Sequence, residues 1–295
     1  MNEYLRSGND DGILRTSEDG GYLVPSGFYG KFSSYFSPKV PFRSAARVVA
    51  CESSSYDILT DGIDGVGRVT IPLHELSALP KVSQRLLGDS AFDVEDWLAG
   101  RIADKFARSE ACAFITGDGA DKPRGLLTYP TVDNDIWAWG SLGYVATGSV
   151  AGIDSADPIV DLVYAVDTHY RSNGTFMLNS KTAGTIRKLK DSDGRFVWSD
   201  GLSAGDSARL FGYPVVIAED MPDIEADAFA IAFGDFSAGY TIAERPDLRV
   251  LRDPFSARPH VLFYATKRVG GDVSDFAAIK LLKFSEVSSK EPTDG

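Results

Sequence analysis

The longest regular pattern of apolar residues lies between residues 94 and 116. Apolar side chains recur there mainly at intervals of four, and others broaden the stripe: Val94, Trp97, Leu98, Ile102, Phe106, Ala113 and Phe114. The pattern predicts one amphipathic helix about 34 Å long. Asp93 is a favourable N-cap, and Gly117 with Gly119 is expected to end the helix. Such a helix is typical of a protein core and by itself indicates no function.

Residues 56–60 and 68–73 are rich in β-forming side chains. Asp61-Gly62 and Asp64-Gly65 supply turn residues between them, so a β-hairpin is predicted. Little in this segment could form its own core, and an isolated hairpin is marginally stable in water. We therefore expect a projecting two-stranded loop that needs a partner surface.

The rest of the chain mixes predicted helices and strands. Residues 128–156 are expected to be a loop anchored by Trp137 and Trp139. Asp157-Pro158 is expected to cap a helix that ends near Asn173-Gly174. The other predicted elements are a strand at 175–178, a helix from Asn179/Ser180 to Lys190, and strands at 213–218, 228–233, 248–252, 261–269 and 276–284. This order predicts the α+β class.

Composition narrows the classes of protein that fit. The chain is 43% hydrophobic, which suffices for a real core, and its net charge of −12 disfavours a surface that grips nucleic acid. Two cysteines are too few for a disulfide framework, and Cys112 is expected to be a small buried thiol in the long helix. No apolar run approaches the ~20 residues that span a bilayer, so no membrane association is expected.

Residues 1–21 are polar and turn-rich. Alone they cannot bury enough surface to fold, so they predict either a disordered tail or an arm that orders against a neighbour.

Three groups of short motifs follow one another through the second half of the chain. They are Phe176-Met177-Leu178-Asn179 with Lys190-Asp191-Ser192-Asp193-Gly194-Arg195; Gly212-Tyr213-Pro214-Val215-Val216 with Glu219-Asp220-Met221-Pro222; and Phe233-Gly234-Asp235-Phe236 through Arg252-Asp253-Pro254 to Lys267-Arg268-Val269-Gly270-Gly271. In this order and spacing, and with the long helix, they resemble the Hong Kong 97-type major capsid proteins of tailed bacteriophages. The resemblance extends from about residue 20 to residue 285.

The resemblance implies a division of the chain that the periodicity alone does not provide. The Hong Kong 97-like capsid fold has an N-arm, an extended E-loop, a peripheral P-domain with a long spine helix, and an axial A-domain. These parts would correspond to 1–47 for the N-arm and entry to the body, 48–80 for the E-loop, 81–154 for the first part of the P-domain with the spine helix at 94–116, 155–227 for the A-domain, and 228–295 for the rest of the P-domain and the C-terminal tail.

The function implied is structural. Hexamers and pentamers of the chain would close into an icosahedral-type shell around double-stranded DNA, without sequence-specific binding, in a tailed phage or a gene transfer agent. The negative net charge suits such a container, because a wall that repels phosphate does not trap the packaged polymer. A portal and possible decoration proteins would be further partners. The particle would assemble in the bacterial host cytoplasm, and no cofactor, metal or catalytic residue is expected.

Encapsulin compartments share the fold and remain the alternative, although the N-arm and E-loop favour a virus-type shell. Many relatives carry an N-terminal scaffolding segment that a phage protease removes. None precedes Asn2, so the sequence is expected to be a mature form.

Copies of the chain are expected to meet at residues of the arm, the E-loop and the A-domain. The candidates are Leu5 and Tyr22 in the arm, Tyr56, Ile58, Asp61, Arg68 and Ile71 in the E-loop, and Asp191, Arg195 and Trp198 in the A-domain. Some relatives cross-link an E-loop lysine to a late asparagine. Here residues 52–80 contain no lysine and residues 250–295 contain no asparagine, so noncovalent contacts are expected instead.

A hydrolase or nucleotide enzyme is the competing class, and it has little support. The chain lacks a phosphate-binding Gly-x-x-x-x-Gly-Lys-Ser/Thr loop and a Gly-x-Ser-x-Gly elbow. His74, His169 and His260 are isolated and lack metal-ligand spacing, which favours hydrogen-bonded structural histidines. Ser7, Asn9, Asp11, Gly12 and Glu18 stand at calcium-loop offsets, but six preceding residues leave no room for an entering helix.

The predicted hairpin provides a first test. Deleting residues 61–67 should leave the subunit folded and block shell assembly, because the loop is expected to overlap a neighbouring subunit. Circular dichroism and electron microscopy of the same preparation would measure the two effects. Normal particles from this variant would contradict the overlap role.

Overall fold

The computed structural model describes residues 22–23, 40–62, 65–85, 94–150, 152–153, 155–190, 194, 196–199, 208–246 and 248–286. The chain forms two compact units. Unit 1 comprises residues 1–40, 75–110 and 245–269, and unit 2 comprises residues 41–74, 111–244 and 270–295. Helices and sheets are mixed along the chain, which confirms the α+β class.

The elements are numbered in chain order. The strands of the described residues are β1 Tyr22–Leu23, β2 Arg47–Ala50, β3 Ser55–Gly62, β4 Gly65–Pro72, β5 His74–Ala78, β6 Lys81–Ser83, β7 Thr131–Asp133, β8 Leu142–Ala146, β9 Thr175–Leu178, β10 Trp198–Ser199, β11 Arg209–Leu210, β12 Tyr213–Ile217, β13 Phe229–Gly234, β14 Tyr240–Glu244, β15 Arg249–Asp253, β16 His260–Val273 and β17 Ile279–Lys283. The α-helices of the same residues are α1 Pro41–Ala45, α2 Val94–Thr116, α3 Asp157–Ala165, α4 Thr168–Arg171, α5 Ser180–Ile186 and α6 Phe236–Gly239.

Unit 1 combines a small sheet with the first part of the long helix. Strand β15 lies antiparallel between β1 and β16, and β5 and β6 also pair with β16. Along β16 buried and exposed residues alternate from His260 to Val269, so one face of the strand is covered and the other is open. Leu98, Ile102 and Phe106 are buried on the helix, as the sequence pattern predicts.

Unit 2 is built on a larger sheet of strands that are far apart in sequence. Its order is β10-β11-β12-β9-β13-β17-β8-β7. Strand β17 pairs antiparallel with β13 and parallel with β8, and β12 pairs parallel with β9. Helices α3 and α5 contribute Ile159, Leu162, Val163, Ala183 and Ile186 to the hydrophobic core that this sheet forms.

A second cluster in unit 2 consists of four buried aromatic rings. Phe42 of α1 lies 5.6 Å from Phe114, 5.9 Å from Phe236 and 4.9 Å from Tyr240, measured between ring centroids. The Tyr240 hydroxyl donates a 2.7 Å hydrogen bond to the carbonyl of Arg124, and burial raises the pKa of this tyrosine. The cluster joins the end of α2 to β14 and α6.

The long helix ends at Gly117, as predicted. The Gly117 amide donates to the carbonyl of Ala113 at 2.9 Å, and a Cβ at position 117 would lie 2.0 Å from the carbonyl oxygen of Pro123. Only glycine permits so close a backbone approach, so this residue both ends the helix and admits the returning chain.

Several element predictions were wrong. Residues 128–156 are not a plain loop, since they contain β7 and β8, whose pairing partners lie in the large sheet. The helix predicted from Asp157 to Asn173 is two helices, because α3 ends at Ala165 and Asp167 caps α4; its first N-cap is Ala156 rather than Asp157. Helix α5 ends at Ile186, four residues before Lys190, and β14 had no predicted counterpart.

Two predictions for the long helix also failed at single residues. Trp97 is 42% exposed, with Arg101 over its ring at 5.7 Å, so it lies beside the buried stripe rather than in it. Cys112 is exposed, and its sulfur lies 3.6 Å from the hydroxyl of Thr116. Periodicity places a residue around the helix axis, but the covering surface decides how wide the buried stripe is.

A buried ion pair in unit 1 provides a test of stability. Lys267 Nζ lies 3.4 Å from Glu110 Oε1, and the two side chains are 7% and 0% exposed. Lys267→Met leaves the carboxylate buried without this partner, and we expect it to lower the free energy of unfolding by about 3 to 5 kcal/mol. Urea denaturation of the unassembled subunit would measure the loss.

The matched control replaces both partners. Glu110→Leu combined with Lys267→Met leaves no buried charge at either position, so it should cost much less than Lys267→Met alone. Equal losses from the single and double variants would contradict this explanation.

Candidate assembly surfaces

The predicted hairpin is present in unit 2. Strands β3 and β4 pair with each other, from Ser55 opposite Pro72 to Gly62 opposite Gly65. The amide of Leu73 donates to the carbonyl of Ser54 and closes the hairpin at its base, and the amide of Cys51 donates to the carbonyl of Glu244 in β14. The hairpin is therefore anchored at its base, while its two strands form no ladder with any other described strand.

The two faces of the hairpin differ in exposure. One face carries the half-buried side chains of Tyr56, Ile58 and Val69 together with buried Ile71. The opposite face carries Asp57, Leu59, Arg68 and Thr70, which are all exposed. Leu59 is 76% exposed, the highest value among the large hydrophobic side chains in the described part of the chain. Nothing within the described subunit covers this leucine, so it is the candidate contact residue of the exposed face.

Asp57 organises the exposed face. Its carboxylate accepts a 2.6 Å hydrogen bond from the Thr70 hydroxyl and another from the Arg68 guanidinium, which also forms an ion pair with it. The Thr70 hydrogen bond first, and then Arg68, hold the pKa of Asp57 below its usual value. These contacts link β3 to β4 and fix the Arg68 side chain next to Leu59.

The predicted E-loop residues thus occur in one hairpin but on different faces. Tyr56 and Ile58 are half-buried, and Arg68 is exposed. Asp61 pairs with Val66 through the backbone, and its side chain lies outside the described residues. Ile71 is a correction: it is fully buried, and its Cγ2 would lie 2.9 Å from a Cβ at Gly270, so it packs inside the subunit and is not available to a neighbour.

Trp198 lies at the β10 edge of the large sheet. The residue is half-buried, packs against the core, and has the Arg187 guanidinium 5.7 Å from its ring. Nearby, Phe196 forms an isolated antiparallel β-bridge with Lys190, and its side chain is 61% exposed. Of these two aromatic residues, Phe196 offers more surface to a neighbour, although the sequence analysis selected Trp198.

The remaining predicted residues are only partly described. Tyr22 pairs with Arg252 through the backbone in unit 1, and its side chain lies outside the described residues. Leu5, Asp191 and Arg195 lie outside the described residues altogether.

The turn between β11 and β12 was missed by the sequence analysis. Phe211 has a φ of +50° and is followed by Gly212 at +86°, the pair of positive values that a tight two-residue hairpin loop requires. Phe211 is 37% exposed, and Arg209 Nη1 donates to the Gly212 carbonyl at 2.8 Å. The glycine was a visible turn signal, but nothing in the sequence distinguished this aromatic residue from a core residue.

The alternative sites weighed from the sequence receive no support in the described residues. No group of three or more His, Cys, Asp or Glu side chains there could hold a metal ion, and no helix there could cross a membrane. The calcium-loop offsets at residues 7–18 lie outside the described part. At His74, Nε2 is buried and has no hydrogen-bond partner among the described residues.

Comparison with known proteins assigns the chain to a family. The model of the phage capsid family matches residues 20–284. The major capsid protein of Escherichia phage T5 is 25% identical over 204 residues, which cover 66% of this chain and 42% of that protein. The chain thus spans less than half the length of this curated relative.

Solved structures add closer relatives. The capsid of an empty GTA (gene transfer agent) particle is 64% identical, with a TM-score of 0.76, over 84% of this chain and 90% of that one. An encapsulin complex from Synechococcus elongatus has a TM-score of 0.64 at 14% identity over 84% and 88% of the two chains, which shows a shared fold alone. The predicted Hong Kong 97-type fold is confirmed. The boundaries drawn for the arm, E-loop, P-domain and A-domain remain predictions.

The role of Asp57 in ordering the hairpin can be measured directly. Asp57→Asn should speed amide hydrogen exchange in β3 and β4, because it weakens the contacts with Thr70 and Arg68. The free energy of global unfolding should change little, since the carboxylate is exposed.

Asp253→Asn is the matched control, because Asp253 is another aspartate of lowered pKa that orders a turn elsewhere, in unit 1. It should leave exchange in the hairpin unchanged. If Asp57→Asn also leaves it unchanged, Asp57 does not organise this surface.

Proposed function

The chain belongs to the phage capsid family, and we propose that it is the shell-forming subunit of a particle of the gene transfer agent type. Its role as a major capsid protein, of a phage or a gene transfer agent, follows from the family match and the close capsid structures. The observation that carries the finer proposal is 64% identity to the capsid of a GTA particle across 90% of that chain.

The physical basis of the function is repetition of modest contacts. In a closed symmetric assembly every subunit makes the same contacts, so pairwise interactions that are weak alone hold the whole object together. An exposed hairpin suits this task, because its rigid backbone presents Leu59 and Arg68 at fixed positions. Hexamers and pentamers around double-stranded DNA, with a portal and further accessory proteins, belong to the same proposal.

Electron microscopy of the purified chain tests the proposal. After size-exclusion chromatography, closed shells or rings of five- and six-fold symmetry are expected. A uniform monomer that forms no ring or shell under any assembly condition would exclude a self-assembling subunit.

The DNA within particles from producing cells separates the two kinds of particle. Fragments drawn from across the host's own genome support a gene transfer agent. One repeated viral genome would show that the particle is a phage.

The hairpin's exposed leucine gives a residue-level prediction. Leu59→Asp should prevent or strongly reduce particle formation, because it places a charge in a contact that we expect to be desolvated. Its effect on subunit stability should stay within about 0.5 kcal/mol, since Leu59 is 76% exposed. Particle yield by sedimentation and urea unfolding of the subunit measure the two quantities.

Leu59→Met is the control, because it keeps an apolar side chain of similar volume and should assemble normally. Normal particle yield from Leu59→Asp would exclude this residue as an assembly contact.

A further inference from the structure

Unit 1 contains a basic pocket in an otherwise acidic protein. It has a volume of about 70 Å³ and is lined by Glu75, Arg245, Arg249, Thr266, Lys267 and Arg268. Three arginines there face one glutamate, whereas the chain as a whole carries a net charge of −12. A local reversal of sign on an acidic surface is a feature to which a complementary group can bind.

Strand pairing brings these residues together. Thr266 and Arg268 lie on the open face of β16, because buried residues alternate with them along the strand. Arg249 of β15 stands directly opposite Thr266 in the antiparallel register. The Arg245 amide donates to the Arg268 carbonyl at 3.0 Å, which places Arg245 beside Arg268.

The charges of the pocket are only partly neutralised inside the subunit. Arg268 Nη2 lies 3.8 Å from Glu75 Oε2, and both side chains are 47% exposed, so this ion pair is weak and open to solvent. Arg249 is exposed, and the structure gives its side chain no hydrogen bond or ion pair with another described residue. Lys267 differs from them, because its ammonium contacts Glu110 on the buried face.

We propose that this pocket binds a carboxylate-bearing segment of a second copy of the chain in the assembled particle. The inference rests on the proposed function and adds a specific contact to it. Guanidinium groups hold carboxylates through paired, charge-assisted hydrogen bonds, and the Thr266 hydroxyl can donate a further one. With 42 acidic residues against 30 basic ones, a second copy supplies carboxylates in excess.

The same surface suits a nucleic acid less well. Binding a phosphate backbone requires a continuous basic track, since affinity grows with the number of phosphates neutralised. Here the basic cluster is small and is interrupted by Glu75. Asp253 stands at the end of β15, on the same alternating set of residues as Arg249. A short acidic segment fits these limits, and nucleic acid becomes an outcome that the experiment can recognise.

Charge reversal tests the pocket in the full chain. Arg249→Glu combined with Arg268→Glu should raise the subunit concentration needed for particle formation by roughly tenfold or more. Urea unfolding of the unassembled variant should stay close to wild type, because both residues are exposed and the ion pair lost with Glu75 is weak. Arg249→Lys with Arg268→Lys keeps both charges and is the control expected to assemble.

Cross-linking then identifies the partner. R249K/R268K particles, assembled from equal amounts of ¹⁵N-labelled and unlabelled subunits, are treated with a carbodiimide, which joins lysine amines to carboxylates. Position 268 can also link to Glu75 of its own chain, which lies beside it. Apart from that link, we expect peptides that join position 249 or 268 to an aspartate or glutamate, half of them pairing a labelled with an unlabelled chain. The same experiment on wild-type particles should lack these links.

The outcomes separate this inference from the proposed function. Wild-type particles together with normal assembly of the charge-reversed variant would overturn the docking pocket and leave the capsid function intact. Links confined to one chain would also overturn it, since the occupant would then be the chain's own segment. Normal assembly with a reduced nucleic-acid content would assign the pocket to nucleic acid instead. If wild-type protein forms no particle, the proposed function fails and the docking pocket fails with it.

Discussion

The pairing of β17 with two distant strands is the constraint on which unit 2 depends. Ile279, Lys280, Leu281 and Leu282 are all buried, and the strand lies between β13 and β8 in the middle of the eight-stranded sheet. Its partner β8 ends more than 130 residues earlier in the chain. Because β17 joins the five strands from β10 to β13 in the sheet order to the pair β8 and β7, the sheet is not complete until residues 279–283 are in place. Contacts of such long sequence separation make folding slow, and an unfinished sheet has open edges.

Strand β17 carries a buried lysine, Lys280, whose ammonium group is partly removed from water. Burial lowers the pKa of Lys280 to about 8, and its ammonium lies 4.1 Å from the centroid of the Trp137 ring. The aromatic face partly replaces the water that the ammonium loses. Trp137 also donates a 2.8 Å hydrogen bond to the Ser141 carbonyl, so one indole supports both the lysine and the loop before β8. Trp137 therefore connects the segment before β8 to strand β17.

The surfaces proposed for assembly share one physical design. The hairpin and the pocket of unit 1 both present arginine on paired strands next to a carboxylate. Asp57 accepts a hydrogen bond from Arg68, and Glu75 forms a weaker ion pair with Arg268. Rigid presentation lowers the entropy lost when a contact forms, which favours many repeated contacts of modest strength. The aromatic cluster around Phe42 supplies comparable rigidity inside unit 2.

The sequence by itself determined the elements whose signals are local: the long helix to Gly117, the pairing of β3 with β4 in a hairpin, strand β9, and the N-cap at Asn179. These depend on periodicity, turn chemistry and capping, which act over a few residues. The order and spacing of short motifs along the chain also sufficed to recognise the family. Only the tertiary structure decided that residues 131–133 and 142–146 form strands, that Ile71 is buried while Leu59 is exposed, and that Cys112 faces outward. Those outcomes depend on which distant surface covers each residue, because burial is a property of the packed chain and not of the local pattern.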